Sequence, residues 1–467
     1  MTKKSILSFL IIISISFLCL CSCGFEDEYS GDPVLSRPSL NSIEEEEKSS
    51  SEIKDPLSEI EGFDYKGKTF TIVTTNREYF NPEKSDSLVE KSVVDRNGMV
   101  GVKFNVNIEI KFEKAESLVE NAVAAISRGE HYADLIVAPS NVLSELMEEK
   151  CLLNLNTLPF LSRSAEYMDE SLITSAEING KLYMLFGALT QTEYSSWCVF
   201  YNSVASSKAG IDPFELYKKG EWTWEKFLEF SEKSSELYES GFVTTATETD
   251  FVNVLWATTG NRFFGECSST TLSVPKLENG KTVLSSIKKI IKSKSYGKES
   301  GTDALKTFIG GKSSMLLCRR NAVYEICESD MEWKSVPMPK YNSESEHYSY
   351  IDGEALAVSV PSNTTDSDFV GRILNALLAA TELTVNESIN LNELYYYWNS
   401  NETALMMEET KKYGFLDIGL TYASAVKDVA TVTTENIASS LEAGIAPFQF
   451  YHSTKRQFEL FAKEYFG

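Results

Sequence analysis

Apolar positions along the chain change period in a regular order from Gly67 onward. Thr69-Phe70-Thr71-Ile72-Val73-Thr74-Thr75 is β-branched and alternating, the pattern of a strand. A helical stretch follows near Ser87–Phe104, and Val106, Ile108, Ile110 and Phe112 then alternate as a second strand. Leu118, Val119, Ala122, Val123 and Ile126 recur at helix spacing. Asp134-Leu135-Ile136-Val137-Ala138 has the form of a short buried strand, and a further helix starts at Ser140. This β-α-β-α-β order predicts a largely parallel sheet in a three-layer α/β unit, because parallel neighbours need a crossover long enough to hold a helix. In such sheets ligands meet the carboxyl ends of strands, here Thr74-Thr75-Asn76 and Ala138-Pro139-Ser140-Asn141.

The middle of the chain is more helical. Thr223 is placed as the N-cap of a helix through Trp224-Glu225-Lys226-Phe227-Leu228, with Phe227, Phe230 and Leu237 expected on one face. A second set of strand-like runs follows at Ser314–Cys318, Ser335–Met338 and Ala355–Val360. Two α/β lobes, with the chain crossing between them more than once, is the simplest assembly.

The N-terminus has a different texture. Lys3 and Lys4 precede an apolar run from Ile6 to Leu20, too short to span a bilayer comfortably but suited to a signal-peptide core. Leu20-Cys21-Ser22-Cys23 resembles a bacterial lipobox, which predicts cleavage before Cys23 and lipidation of that cysteine. An ordinary signal peptide ending in cysteines is the alternative. At about 0.8 kcal/mol per buried methylene, two or three acyl chains would hold the protein on the outer face of the membrane. Residues 23–62 follow as an acidic linker, with the run Glu44-Glu45-Glu46-Glu47 and Pro33, Pro38 and Pro56, and are expected to be disordered.

Charge narrows the partners. The 467 residues carry 68 acids against 44 bases, a net charge of −24, which becomes −26 when Lys3 and Lys4 leave with the signal. A nucleic-acid partner is not expected of such a chain, because phosphate binding needs a basic face. The only histidines are His131, His347 and His452, so a multi-histidine metal site is not expected. Cys151, Cys198, Cys267, Cys318 and Cys327 are an odd set without CxxC spacing, neither a disulfide framework nor a zinc site; Cys151, Cys198 and Cys318 read as small core residues. Gly310-Gly311-Lys312-Ser313 looks like the end of a phosphate loop, but the glycine such a loop needs five positions before Gly311 is Lys306. GxSxG, HExxH and EF-hand patterns are absent from the sequence. No cofactor is called for.

The order of short motifs resembles the extracellular solute-binding proteins of bacterial ABC importers, family one, the group that includes maltose-binding protein. The motifs are Asp95-Arg96-Asn97, Asp134–Ala138, Leu153-Asn154-Leu155-Asn156, Ile178-Asn179-Gly180-Lys181-Leu182-Tyr183, Val199-Phe200-Tyr201-Asn202, Ala209-Gly210-Ile211, Trp222–Phe227, Phe308–Met315 and Val336-Pro337-Met338-Pro339. The resemblance runs from about residue 66 to 467. Lys226 stands where the family has an acid, and Ser313-Ser314 where it has paired alanines.

This resemblance implies a two-lobed, periplasmic-binding-protein-like (type II) α/β fold with a central ligand cleft and hinge crossovers. The implied crossovers lie near Thr190–Cys198, near Tyr341–Asp352 and after Ala380. The lobes would be 63–192 with 350–385, and 193–349 with 386–467. It also implies a monomer that captures a small polar solute, with a sugar or oligosaccharide the leading candidate, and passes it to an ABC permease without chemistry. The candidate contacts are Ser140 and Asn141 on the first lobe, Tyr194 and Trp197 at a crossover, Trp256 and Asn261 on the second lobe, Arg319, Arg320 and Asn321 after a strand, and Asp352. Trp197 and Trp256 could equally be core, and Arg319 and Arg320 could be structural ion pairs. Trp224 and Trp222 read as helix packing, while Tyr395-Tyr396-Tyr397-Trp398 cannot all face one core and suit a cleft rim. A ligand-presenting sensor subunit and a surface-anchored carbohydrate-active enzyme are the competing functions.

Overall fold

A computed structural model describes residues 57–76, 79–82, 88–260 and 280–386, with 388, 405–406, 409–410, 412–417, 421–422 and 463. Its strands are β1 (Lys68–Thr74), β2 (Val106–Phe112), β3 (Leu135–Pro139), β4 (Trp197–Asn202), β5 (Val243–Thr244), β6 (Met315–Arg319), β7 (Trp333–Pro337), β8 (Ser349–Ile351), β9 (Leu356–Ser359) and β10 (Gly414–Leu416). The helices are α1 (Leu88–Phe104), α2 (Ala115–Ser127), α3 (Ser140–Glu148), α4 (Glu170–Ala176), α5 (Ser203–Ala209), α6 (Pro213–Lys218), α7 (Trp224–Ser234), α8 (Glu248–Ala257), α9 (Gly280–Ile291), α10 (Gly301–Ile309), α11 (Val323–Ile326) and α12 (Ser367–Thr381). Leu57, inside the stretch read as linker, is buried, and its carbonyl accepts from Lys103 Nζ at 2.8 Å, so this residue packs onto the body.

The first sheet has the order β2-β1-β3-β9. β1 pairs in parallel with β2 and with β3, as the alternating pattern requires, while β9 arrives from much later in the chain and runs antiparallel to β3. β1 is buried from Phe70 to Thr74, whereas the edge strand β2 buries Val106 and leaves Phe112 exposed. The α12 helix packs against α1 and is buried over nearly its whole length; its N-cap Asp366 accepts from Phe369 N at 3.2 Å.

The second sheet, in the order β5-β6-β4-β7, is mixed: β4 is antiparallel to both β6 and β7, and β5 is parallel to β6. All of β4 is buried, and its alternate residues go to different cores. Trp197, Val199 and Tyr201 join the main cluster, and Cys198 and Phe200 pack with Leu316, Cys318, Ala304 and Trp333 on the other face. A sheet covered on both sides reads as a continuous apolar run, which is what Trp197–Tyr201 is. Thr223 caps α7 by accepting from Lys226 N at 3.4 Å, and Phe227 and Phe230 are buried. Leu237 departs from the expected face: α7 ends at Ser234, and Leu237, a turn beyond it, is exposed.

Several of the family-like motifs turn out to be turn chemistry. Asn179 and Gly180 both take positive φ, 50° and 72°, between the bridged residues Ile178 and Lys181, the backbone of a tight two-residue reversal. Asn154 Oδ1 accepts from Asn156 N at 3.2 Å and from Leu182 N at 2.9 Å, tying that turn to the next segment. Gly210 closes α5 at φ 64°. Among the described residues no helix is long and apolar enough to cross a membrane.

Candidate functional site

Among the described residues, two stretches carry the chain between the two four-stranded sheets. Leu185 bridges Val358 in the first sheet, and the chain then passes through two short 3-10 turns, Ala188–Thr190 and Thr192–Ser195, into β4. Between those turns Gln191 takes a left-handed conformation at φ 50°. The return runs from β7 through β8 to β9. β8 is fastened beside the start of β4 by a Ser196–Ile351 bridge and by Ser349 Oγ, which donates to Trp197 O at 2.9 Å.

Asp352 follows β8 directly, so it is delivered to the ends of β4 and β6. Trp197 and Arg319 are opposite one another on those antiparallel strands, and both donate to the same carboxylate oxygen. Arg319 Nε lies 2.7 Å and Trp197 Nε1 3.1 Å from Asp352 Oδ2. The other oxygen, Oδ1, accepts from Glu354 N at 3.0 Å, which folds the next residues into a turn. Arg319 Nη1 also reaches Glu354 Oε2 at 3.3 Å.

The far side of this turn is held by the start of α3, which follows β3 of the first sheet. Ser140 N donates to Ala355 O and Asn141 N to Gly353 O, each at 2.9 Å, and Ser140 Oγ donates to Gly353 O at 3.1 Å. Residues 352–355 are thus gripped by the start of α3 on one side and by Trp197 and Arg319 on the other. Ser140 is fully buried and its hydroxyl serves this backbone contact.

Electrostatics keep the junction charged. Burial pulls the Arg319 pKa down, but the carboxylates of Asp352, Glu354 and Asp250 outweigh it and hold the guanidinium above its ordinary value. Tyr350, buried in β8 two residues before Asp352, is pushed well above the usual phenol range by burial and then by Asp352, Asp417 and Asp250. The Arg319 side chain retains 31% exposure and Glu354 65%, while Asp352 keeps 15%, so donor and acceptor groups face outward from a fixed carboxylate.

A second cluster lies one residue further on. Arg320 N donates to Ser196 O at 2.8 Å, the Arg320 guanidinium lies 4.5 Å from the centre of the Tyr194 ring, and Nη1 is 3.9 Å from Glu193 Oε1. Tyr194 stacks on Tyr324 with centroids 5.6 Å apart and packs with Val93 of α1 and Val385. Tyr194 is thereby in contact with helix α1, while its neighbour Arg320 directly follows β6 of the second sheet. Asn321, in the turn after β6, is exposed.

Other candidates sit apart. Trp256 is 4% exposed within α8 and belongs to the main core. Trp222 Nε1 donates to Pro337 O at 2.9 Å, and Trp224 Nε1 donates to Thr258 Oγ1 at 3.1 Å, so both anchor α7 against its neighbours. Asn261, Cys23 and Tyr395–Trp398 lie outside the described residues. Sequence reasoning missed Glu193, Glu354, Asp250 and Tyr324. Glu354 alone had a signal, its place two residues after Asp352 in one turn.

The Arg96-Asn97 pair has a positioning role at the end of β1. Arg96 is buried and donates from Nη2 to Tyr79 O at 3.0 Å, while Asn97 Nδ2 donates to Phe80 O at 2.7 Å. Burial lowers the Arg96 pKa to about 9. Together they clamp the segment that follows a strand's carboxyl end, where α/β sheets present ligands.

A sequence profile of bacterial extracellular solute-binding proteins matches residues 103–413. The chain belongs to that family. Proteins of this family bind solutes outside the cytoplasm. Among solved structures, the GacH receptor of Streptomyces glaucescens, described unliganded and with acarbose, superposes with a TM-score of 0.57 at 13% identity, covering 85% of this chain and 99% of that one. An ABC substrate-binding protein from Listeria monocytogenes in complex with cycloalternan gives 0.55 at 12% identity, covering 84% and 98%. At such identities the likeness concerns the fold, the two-lobed α/β architecture of periplasmic sugar-binding proteins. A search of curated proteins returned no match.

Proposed function

We propose that this solute-binding protein captures a sugar or oligosaccharide between its two lobes and delivers it, unaltered, to an ABC permease. In this reading it acts as a monomer fixed to the outer face of the membrane through lipid on Cys23. The observation that carries the reading is the junction at residues 352–355, where an indole, a guanidinium and two carboxylates meet on the segment joining the lobes. Such groups suit a polyhydroxylated ligand: planar donors and acceptors pair with hydroxyls, and aromatic faces cover C–H surfaces. Asp352, Arg319, Trp197, Ser140 and Asn141 are the proposed contacts or their immediate supports, with Tyr194, Arg320 and Asn321 beside them. Asn261 is proposed as a further contact on the second lobe, while Trp256 is left to the core.

Closure follows from differential affinity. A ligand that touches both lobes stabilises the closed arrangement only by the contacts it gains there. The short turns around Gln191 and the β7–β9 return are the segments proposed to absorb the change in backbone angles. A permease that docks on both lobes at once would then recognise only the loaded form.

Thermal-shift measurement against neutral oligosaccharides tests this. A ligand at about 100 times its dissociation constant should stabilise the folded protein by about 2.7 kcal/mol. Chromatography of the recovered sugar separates a binder, which returns it intact, from a carbohydrate-active enzyme, which does not. Uptake of labelled sugar, lost on deleting the gene and restored by the intact chain, separates transport from sensing.

A further inference from the structure

Cys198 of β4 and Cys318 of β6 are directly opposite one another on adjacent antiparallel strands at the centre of the second sheet, and both are free thiols. The hydrogen-bond phase of this ladder is fixed at its two ends. Arg320 N donates to Ser196 O at 2.8 Å, and Asn202 N donates to Ser314 O at 2.9 Å. Because bonded and non-bonded pairs alternate, Cys198 and Cys318 form a hydrogen-bonded pair, for which Cα atoms stand about 5.5 Å apart, inside the roughly 4.4–6.8 Å range of disulfides. Their side chains leave the same face of the sheet and enter the same apolar cluster with Phe200, Leu316 and Trp333.

We propose that Cys198 and Cys318 are an oxidation-sensitive pair that closes to an intramolecular cross-strand disulfide outside the cytoplasm. The oxidant is an exogenous disulfide. One cysteine, as thiolate, attacks it to give a mixed disulfide and releases one thiol. The second thiolate then displaces the remaining half, so one bond joins the two cysteines, two oxidant thiols leave, and the two protein protons end on them.

Geometry also sets the character of the bond. Directly opposite Cβ atoms in a sheet stand about 4.5–5.5 Å apart, with bonded pairs at the wider end, whereas a relaxed disulfide brings them to about 3.8 Å. The two strands must pinch, so the bond is strained. Both thiols are buried in the finished sheet, and burial pushes the Cys198 thiol up to about 12. Exchange therefore belongs to the folding chain, before the apolar cluster seals. Because side chains alternate, Trp197 and Arg319 point to the opposite face of the sheet, away from the bond.

The test is oxidative refolding. The reduced, denatured chain is refolded in oxidised glutathione, quenched with iodoacetamide and digested without reductant. The proposal predicts a joined peptide carrying Cys198 and Cys318, lighter by two hydrogen atoms than the two reduced peptides together and abolished by dithiothreitol. It should persist in the C151S/C327S variant and vanish in C198S. Recovery of both cysteines as separate alkylated or glutathionylated peptides, or joined to another cysteine, overturns it.

Discussion

Arg319 and Asp352 bind the end of β6 in the second sheet to the segment that leads into β9 of the first, with Nε 2.7 Å from Oδ2. Removing either partner leaves the other partly buried, with Glu354 still beside the guanidinium or the Trp197 indole still on the carboxylate. A fully buried pair broken this way costs about 3–5 kcal/mol. Arg319 is a third exposed, so Asp352→Ala and Arg319→Ala are each expected to cost about 2 kcal/mol after discounting for solvent. Denaturant unfolding of the singles and the double should show a coupling energy of about 1 kcal/mol or more. Additive effects would separate the two residues.

Trp197 shares the same carboxylate oxygen through its indole N–H. Trp197→Phe keeps an aromatic ring and deletes that one donor. The expected loss is about 1 kcal/mol of stability, the net value of a typical hydrogen bond. In the proposed function, the same variant loses the change in tryptophan emission that follows ligand addition, although other tryptophans remain. An unchanged emission response would take Trp197 out of the ligand's surroundings.

Gly371 makes an opposite-to-ordinary prediction. In an exposed helix, glycine to alanine gains about 1 kcal/mol. Here a Cβ on Gly371 would lie 1.9 Å from Pro159 O, a backbone atom that cannot swing away. Gly371→Ala should therefore destabilise, by about 1–3 kcal/mol, as overpacking does. A rise in melting temperature would contradict the close approach of α12 to that loop.

His347 is the pH-dependent element. Its ring lies 4.9 Å from Tyr217 and 5.3 Å from Tyr413, and Nδ1 donates to Met338 O at 3.0 Å, as the neutral tautomer can. Burial lowers its pKa below the ordinary 6.5, against the opposing pull of the Met338 carbonyl. The unfolded chain then binds the proton more readily than the folded one. Stability is full above pH 6.5 and falls as pH drops through that value towards the lower folded pKa. Melting temperatures between pH 8 and pH 5 should fall more steeply for the wild type than for His347→Gln. Parallel curves would refute this.

Much of the scaffold was legible because it rests on local rules. The first sheet's parallel core follows from strand and helix periods between Thr69 and Ala138, and α7 begins at the cap Thr223 supplies. The Asn179-Gly180 and Asn154 motifs were visible for the same reason, since turn geometry selects residue type. That also explains why they say little about the ligand: they hold the frame. The site was harder to see because it is built across the chain. Asp352 meets Trp197 from 155 positions away, and Asp250 acts on Arg319 through space alone. Leu237 misled because the apolar period ran past the point where α7 stops.

Isothermal titration calorimetry of the purified chain against a series of neutral oligosaccharides bears most directly on the proposed function, with Arg319→Ala run alongside. The account predicts saturable one-to-one binding of at least one sugar, recovered chemically intact, with affinity weakened at least tenfold in the variant, a loss of about 1.4 kcal/mol. A bound sugar released as cleavage products, or equal affinity in wild type and variant, would contradict it.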